Sequence, residues 1–512
     1  MAKGHTIPIL QLAHLLLRHG AAVTLLTTPG NRPFVSSYLP SSSAAAITVV
    51  DIPFPQNIPG IPSGVESTDK LPDISLLFEF AAATKLMKPQ FEQTLQSLLP
   101  NINFMITDDF LGWTLDSANK FRIPRFVYYA MGAFALSVTI AVARGRFLVE
   151  KRGNTDLIRV NEFPWIKIEK EDFDPLFLDP EFLGTTYHDF VFENIEASSK
   201  SHGIVMNSFY ELEPVYIETW SSTIGPPMWC IGPLCLAEEK KTKPENHQKP
   251  WWIDWLDQME EKGGKVLYAA FGTQVPISPS QFNEIKIGLE KSGVNFLWVV
   301  RANESQLELG FEKRVQNRGI VVREWVDQRE ILEHKSVLGF LSQCGSSSMM
   351  ESISAKVPIL ALPMMWEQPL NAKFVVEEMK VGLRVETCNR VVKWESLAMA
   401  AKELMEGEIG VEVRKNVAEV GGAAVRAVEE GGSSWRRLNQ LINELHQTRN
   451  TAGHVSRRRS GHLDGAPPKL TTVVGLCRRN YWLYSNTEPQ THASSLNGRS
   501  RVFTTPLLYF PM

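Results

Sequence analysis

Six consecutive residues, Gln343, Cys344, Gly345, Ser346, Ser347 and Ser348, hold the densest polar chemistry in this 512-residue chain. An apolar run precedes them and a helical pattern follows, so they stand where a strand hands over to a helix. The first amides of a helix lack partners inside it and carry partial positive charge. With serine hydroxyls beside them they form an anion site that suits a phosphate. A serine N-cap without any ligand accounts for the same residues. Further positions favour the ligand. Glu351 lies one helical turn after Ser347 on the same face and suits ribose hydroxyls. Trp325 ends another apolar run, where an aromatic plane can stack on a base, and Gln328 follows within reach. The pair Glu367 and Gln368 comes after the next expected strand and offers acceptors and donors to sugar hydroxyls. All lie at or beyond the C-terminal ends of expected strands, the edge where parallel sheets bind ligands.

Other chemistries lose their sequence support. The chain contains no G-x-G-x-x-G, no G-x-x-x-x-G-K-[ST], no H-E-x-x-H and no G-x-S-x-G. Its five cysteines are widely spaced and include no C-x-x-C, which argues against a zinc ribbon or disulfide framework and for a reducing compartment.

The elements that position these residues alternate. A helical pattern over 8–19 leads to strand runs at 23–27, 47–52, 104–107 and 126–129, with a long helical pattern over 75–99 between them. After a charged, proline-bearing stretch at 237–250 the rhythm restarts, with strand runs at 266–271, 296–300, 320–325, 338–342 and 359–362. Strands alternating with helices of this length indicate parallel βαβ sheets. Two α/β domains are expected, 1–236 and 251–450, with 237–250 as linker and a ligand cleft between them. Residues 451–512 carry eight Lys/Arg and two Asp/Glu, a net +6 that leaves −9 on residues 1–450. They show no sustained period and are expected to be a disordered tail.

The overall balance, net charge −3 with 44% hydrophobic and 21% charged residues, is that of a globular protein and gives no global field for nucleic acid. The longest apolar stretch, 131–143, falls short of the roughly 20 residues a bilayer span needs. A buried helix is expected there, in a soluble, cytoplasmic, monomeric protein with no nucleic-acid partner and no membrane span.

The 44 residues from Trp325 to Gln368 read WVDQREILEHKSVLGFLSQCGSSSMMESISAKVPILALPMMWEQ. They resemble the signature of the plant UDP-dependent secondary-product glycosyltransferases, whose pattern is W-x-P-Q, L-x-H, H-C-G-W-N-S, E, G-V-P and D/E-Q. The segments GHTIPILQLAHLLL, FVYYAMGAFALSV, VMNSFYELEP, VLYAAFGTQ and EEGGSSW extend the resemblance over about residues 1–447. It implies the GT-B fold, two Rossmann-like domains facing a cleft, with a returning C-terminal helix after Ser434. It also implies an inverting transfer of glucose from UDP-glucose, as co-substrate, to a hydroxyl of a small aglycone, with no metal and no other cofactor. His5, in G-H-x-x-P, matches the general base and Asp108 the carboxylate that orients it. Trp325 matches the residue that stacks on uracil, Val326 the one that pairs with it through its backbone, and Gln328 assists. Gln343, Gly345, Ser346, Ser347 and Ser348 match the diphosphate site, aided by Thr273. Glu351 matches the ribose ligand, and Glu367 and Gln368 the sugar ligands.

The match is degenerate in places. The signature's first histidine is Gln343, its tryptophan Ser346 and its asparagine Ser347; Lys356 replaces the glycine before V-P, Leu362 a tryptophan, and Asp327 the proline of W-x-P-Q. Gln343 donates a hydrogen bond without positive charge, and charge-assisted bonds are about twice as strong as neutral ones. Family members open on a hydrophobic strand before G-H-x-x-P, whereas Met1 here stands just before that turn. The slot of that central strand is therefore expected to be empty and its neighbours' edges unpaired. The alternative to an active transferase is an impaired relative that binds UDP-sugar or aglycone without turnover.

Overall fold

The computed structural model describes residues 3–39, 46–144, 149–152, 155–158, 160–173, 185–237, 249–274, 277–301, 309–456 and 471–475. All fall within one compact unit, Met1–Trp482. Two parallel sheets organise it. The first contains β1 (Ala22–Thr27), β2 (Ile47–Asp51), β3 (Phe104–Asp108), β4 (Arg125–Tyr129), β5 (Gly203–Met206) and β6 (Met228–Cys230). The second contains β7 (Val266–Ala270), β8 (Asn295–Val299), β9 (Gly319–Val322), β10 (Val337–Ser342), β11 (Ile359–Ala361) and β12 (Gly382–Arg384) in the order β9-β8-β7-β10-β11-β12. Helices cover both faces of such sheets, so their strands are apolar without alternation. Every residue of β3, β4 and β7 is buried.

The first sheet has a seventh strand, β13 (Thr471–Gly475), and the order β2-β1-β13-β3-β4-β5-β6. It pairs in parallel with β1 from Ala22↔Thr471 to Leu26↔Gly475, and with β3 from Thr472↔Phe104 to Gly475↔Thr107. This corrects the expectation of an empty slot: β1 and β3 are both paired, by a strand from the far end of the chain. It also departs from the expected disordered tail at two stretches. Residues 451–456 continue a helix and 471–475 form this strand, while 457–470 and 476–512 lie outside the described residues.

The helices that bear on the site are α1 (Lys3–Arg18), α2 (Ala133–Arg144), α3 (Gln328–Leu332), α4 (Ser346–Ser354), α5 (Gln368–Lys373) and α6 (Ser433–Ser456). Helix α1 starts earlier than its pattern indicates, placing His5 in its first turn and Pro8 inside it. The long pattern at 75–99 is interrupted: α-helical Leu77–Ala83 passes through a 3-10 turn, Thr84–Met87, to Lys88–Leu98, which has Pro89 in its first turn. On one face of the first sheet, Ile9, Leu12 and Leu16 of α1 pack with Phe104, Phe126 and with Leu438, Leu441 and Ile442 of α6. The apolar run at 131–143 becomes α2, as a buried helix. Its Phe134 stacks on Phe374 at 5.0 Å, inside a core that continues through Met349 and Ile353 of α4. The two halves therefore share apolar packing as well as a cleft.

Candidate active site

In each sheet the chain winds outward in two directions from one switch point, where α/β sheets open a crevice at their C-terminal edge. In the second sheet that point lies between β7 and β10. Gly272 follows β7 and Gln343 follows β10. Gly272 has φ +66°, a backbone conformation that favours glycine, and a Cβ there would stand 2.5 Å from the Gln343 amide nitrogen, so a side chain would displace Gln343. Cys344 turns left-handed (φ 64°) just before Gly345, the residue that precedes α4, its amide donating to Ser342 Oγ at 3.1 Å and its carbonyl accepting from Asn371 at 2.9 Å. The first turn of α4 thus presents Ser346, Ser347 and Ser348 to the crevice. Ser347 Oγ donates to the Gly4 carbonyl of α1 at 2.9 Å, joining the helix N-terminus to the turn that carries His5.

Asp327 explains one departure from the signature. Its carboxylate caps α3, accepting from the amides of Arg329 and Glu330 at 3.1 and 3.3 Å. The cap aims Gln328, whose amide donates to Ser348 Oγ at 2.9 Å and Glu351 Oε2 at 2.6 Å. Trp325 lies three residues beyond β9, 60% exposed, its ring perpendicular to Phe34 of the first half at 6.3 Å. Gln368 turns its carbonyl inward to the amides of Met364 and Met365, both at 3.1 Å, which directs its NH2 group away from that loop.

In the first sheet the switch point is β13, flanked by β1 and β3. Asp108 ends β3, fully buried, and its Oδ2 lies 2.5 Å from His5 Nδ1. Its Oδ1 accepts from the Phe110 amide at 3.1 Å. Phe110 meets the imidazole edge-on with ring centres 6.4 Å apart. With Nδ1 engaged by a carboxylate, the imidazole presents Nε2 as its acceptor. A cavity of about 960 Å³ runs from His5 to the second sheet. It is lined by Thr273, Trp325, Val326, Gln328, Gln343, Gly345, Ser346, Ser347, Ser348, Glu351, Glu367 and Gln368 as well as His5. Of the residues expected from sequence, only Asp108 lies behind this wall, where its contact with His5 places it.

Gln343 keeps one unmet demand: its Oε1 is buried and has no hydrogen-bond partner among the described residues. A buried acceptor without a donor costs about 1–3 kcal/mol, and an anion at this position is bonded only by the NH2 group of the same amide. Two supports escaped the sequence reading. Arg125, at the start of β4, is fully buried and donates to Thr107 at 2.8 Å, Thr114 at 3.0 Å and Ser201 at 2.5 Å. Burial pulls its pKa down to about 10 against the opposing pull of Tyr129, Asp109 and Asp108. It braces β3 one residue before Asp108. Asp172, buried in the first half, holds Lys373 of α5 at 3.1 Å and Arg384 at 3.3 Å, anchoring the helix that opens on Gln368. No local spacing marks either residue, because their partners are remote in sequence.

Comparison with known proteins fits this geometry. A sequence model for UDP-glucoronosyl and UDP-glucosyl transferase matches residues 238–419. UDP-glycosyltransferase 90A1 of Arabidopsis thaliana is 48% identical over 468 residues, covering 88% of this chain and 96% of that protein. The chain belongs to the plant UDP-glycosyltransferase family. The UDP-glucose flavonoid 3-O-glucosyltransferase 7 of Fragaria ananassa is 35% identical over 473 residues, covering 87% of this chain and 94% of its own length. Among solved UDP-glycosyltransferases, Glycyrrhiza uralensis UGT73P12, complexed with glycyrrhetinic acid 3-O-monoglucuronide, superposes with a TM-score of 0.78 at 27% identity, covering 90% of this chain and 96% of that one. Phytolacca americana UGT2, complexed with UDP-2fluoro-glucose and pterostilbene, gives 0.72 at 27% identity, with coverage of 86% and 97%. These likenesses establish the GT-B architecture. No helix among the described residues is long and apolar enough to cross a membrane.

Proposed function

We propose that this UDP-glycosyltransferase moves glucose from UDP-glucose to a hydroxyl of a small plant metabolite, with inversion, as a cytoplasmic monomer. The observation that carries this reading is the buried His5–Asp108 pair, 2.5 Å apart, opening on the same cavity as the N-terminus of α4. UDP-glucose is the co-substrate. Its uracil stacks on Trp325, with the Val326 backbone and Gln328 beside it, and its ribose meets Glu351. The diphosphate takes the first-turn amides of α4 with Thr273, Gln343, Gly345, Ser346, Ser347 and Ser348. Glu367 and Gln368 hold the sugar hydroxyls, Gln368 through the NH2 group its fixed carbonyl leaves pointing outward.

In the reaction, His5 Nε2 accepts the proton of the acceptor hydroxyl as its oxygen attacks the anomeric carbon from the face opposite UDP. The bond from that carbon to the diphosphate oxygen breaks, and UDP leaves with the electron pair. Asp108 stabilises the imidazolium that forms. The test is release of UDP from UDP-glucose against a panel of phenolic acceptors. Glucoside formation by the wild type, lost in His5→Ala, is expected. A wild type that binds UDP yet glucosylates nothing across the panel supports the impaired relative instead.

A further inference from the structure

The first sheet is tied together at one place. Strand β1 pairs with β2 on one side and β13 on the other, and β3 pairs with β13 and β4. Among the described residues, every ladder hydrogen bond joining the β2–β1 pair to the rest of the sheet therefore passes through β13. That division separates the two members of the His5–Asp108 pair. His5 lies on α1, which runs directly into β1, and Asp108 is the last residue of β3. The ladder between β13 and β3 ends at Gly475↔Thr107, one residue short of Asp108. Thr472 is fully buried and lies within both ladders. A strand with edges on both sides satisfies amides and carbonyls of two neighbours at once, and its removal exposes both rows.

We infer that Thr471–Gly475 is a positioning element for catalysis: a strand from the C-terminal segment that fixes the His5-bearing unit against the Asp108-bearing strand. The inference rests on the reading of His5 and Asp108 as base and orienting carboxylate. It concerns the segment as backbone, so it predicts a loss of turnover far larger than any change in donor affinity, because second-sheet residues build most of the donor site and meet the first half through Ser347 with Gly4 and Trp325 with Phe34.

The test begins with the unmodified full-length protein. In hydrogen–deuterium exchange read by mass spectrometry, amides 472–475 should exchange at least 100-fold more slowly than an unstructured peptide, as slowly as those of 104–108. Exchange at the rate of a free peptide overturns the inference, whatever the fate of the catalytic assignment. The second arm is Val473→Pro, since proline has no amide hydrogen and does not fit a strand paired on both sides, with Val473→Ile as control. The proline variant should lose at least 10-fold in kcat while its UDP affinity, by calorimetry, stays within threefold of wild type, and the isoleucine variant should keep both. A proline variant that fails to fold also places the segment in the core, because proline in a solvated tail leaves folding intact. Unchanged kcat and unchanged melting in Val473→Pro sink the inference. Normal exchange protection with no transferase activity in the wild type would instead count against the functional reading alone.

Discussion

The six strands of the second sheet come from one continuous stretch, Val266 to Arg384, whereas the first sheet takes the strand between β1 and β3 from Thr471–Gly475. Both sheets offer a switch point to the same cavity, but they stabilise it differently. In the second, Gly272 and Gln343 follow strands that pair directly, β7 with β10, both drawn from the one stretch that forms the whole sheet. In the first, the corresponding neighbours are bridged by a segment whose loop closure spans most of the chain. The donor side should therefore tolerate changes in the C-terminal segment, and the base side should not.

The largest effect that can break this comparison is the loss of the base. His5→Ala should lower kcat by about 10²–10⁴-fold, the usual worth of general-base catalysis, with UDP affinity unchanged. Asp108→Asn should cost less, because the imidazole remains. Steady-state rates paired with UDP calorimetry read both. Activity in His5→Ala within about threefold of wild type would end the assignment.

Next comes the donor side alone. Gln343→His with Ser347→Asn should tighten UDP binding by about 10–100-fold, or about 1–3 kcal/mol, by supplying a cationic donor where Gln343 now buries an unmet acceptor. Because Ser347 also holds the Gly4 carbonyl, the asparagine change should lower kcat somewhat even as UDP binds better. Equal UDP affinities in calorimetry would show that these positions do not face the diphosphate.

Two substitutions sharpen the contrast through stability. Lys356 follows α4 with φ 61°, a conformation that costs a side chain about 1 kcal/mol and that glycine adopts freely. Lys356→Gly should raise the melting temperature by about 1 °C, by calorimetry, with no change in the first sheet's exchange behaviour. Thr472 Oγ1 is buried without a partner among the described residues. Thr472→Val should stabilise by up to about 1 kcal/mol, since it removes an unmet hydroxyl at nearly constant shape. A change of zero would place that residue in solvent.

The smallest effect is a difference in thiol labelling. Burial pushes the Cys344 thiol up to about 12, while Cys388 is exposed. Only the thiolate is nucleophilic, so the fraction available at Cys344 grows as pH rises toward that value and is negligible near neutrality. Iodoacetamide at pH 8, read by peptide mass spectrometry, should label Cys388 and spare Cys344. Labelling of both would show that the loop before α4 opens.

What could be read from residues alone follows the same division. The strand-to-helix step at Gln343–Ser348, the aromatic Trp325 with Gln328 and the pair Glu367–Gln368 lie within 44 residues, where local spacing and chain direction are enough to put them on one sheet edge. The run Thr471, Thr472, Val473, Val474, bounded by Pro467–Pro468 and Gly475, carried a strand signal of β-branched residues between breakers. It was hidden by the polar, aperiodic composition around it. Apolar periodicity also joined 75–99 into one helix, because it does not register the 3-10 turn and Pro89 that divide it.

The sequence by itself determined the α/β alternation, the helix N-terminus that can hold a diphosphate and the family to which the chain belongs, because each depends on short-range pattern or on residue identity. Tertiary structure decided the rest. It brought His5 to Asp108 across 103 positions, buried Arg125 and Asp172 where their partners wait, and filled the space between β1 and β3 from the chain's far end. The physical reason is that strand pairing satisfies backbone groups whatever the sequence distance between partners. A free slot in a sheet is filled by the segment that can reach it with the right β-propensity, and local pattern does not encode that reach.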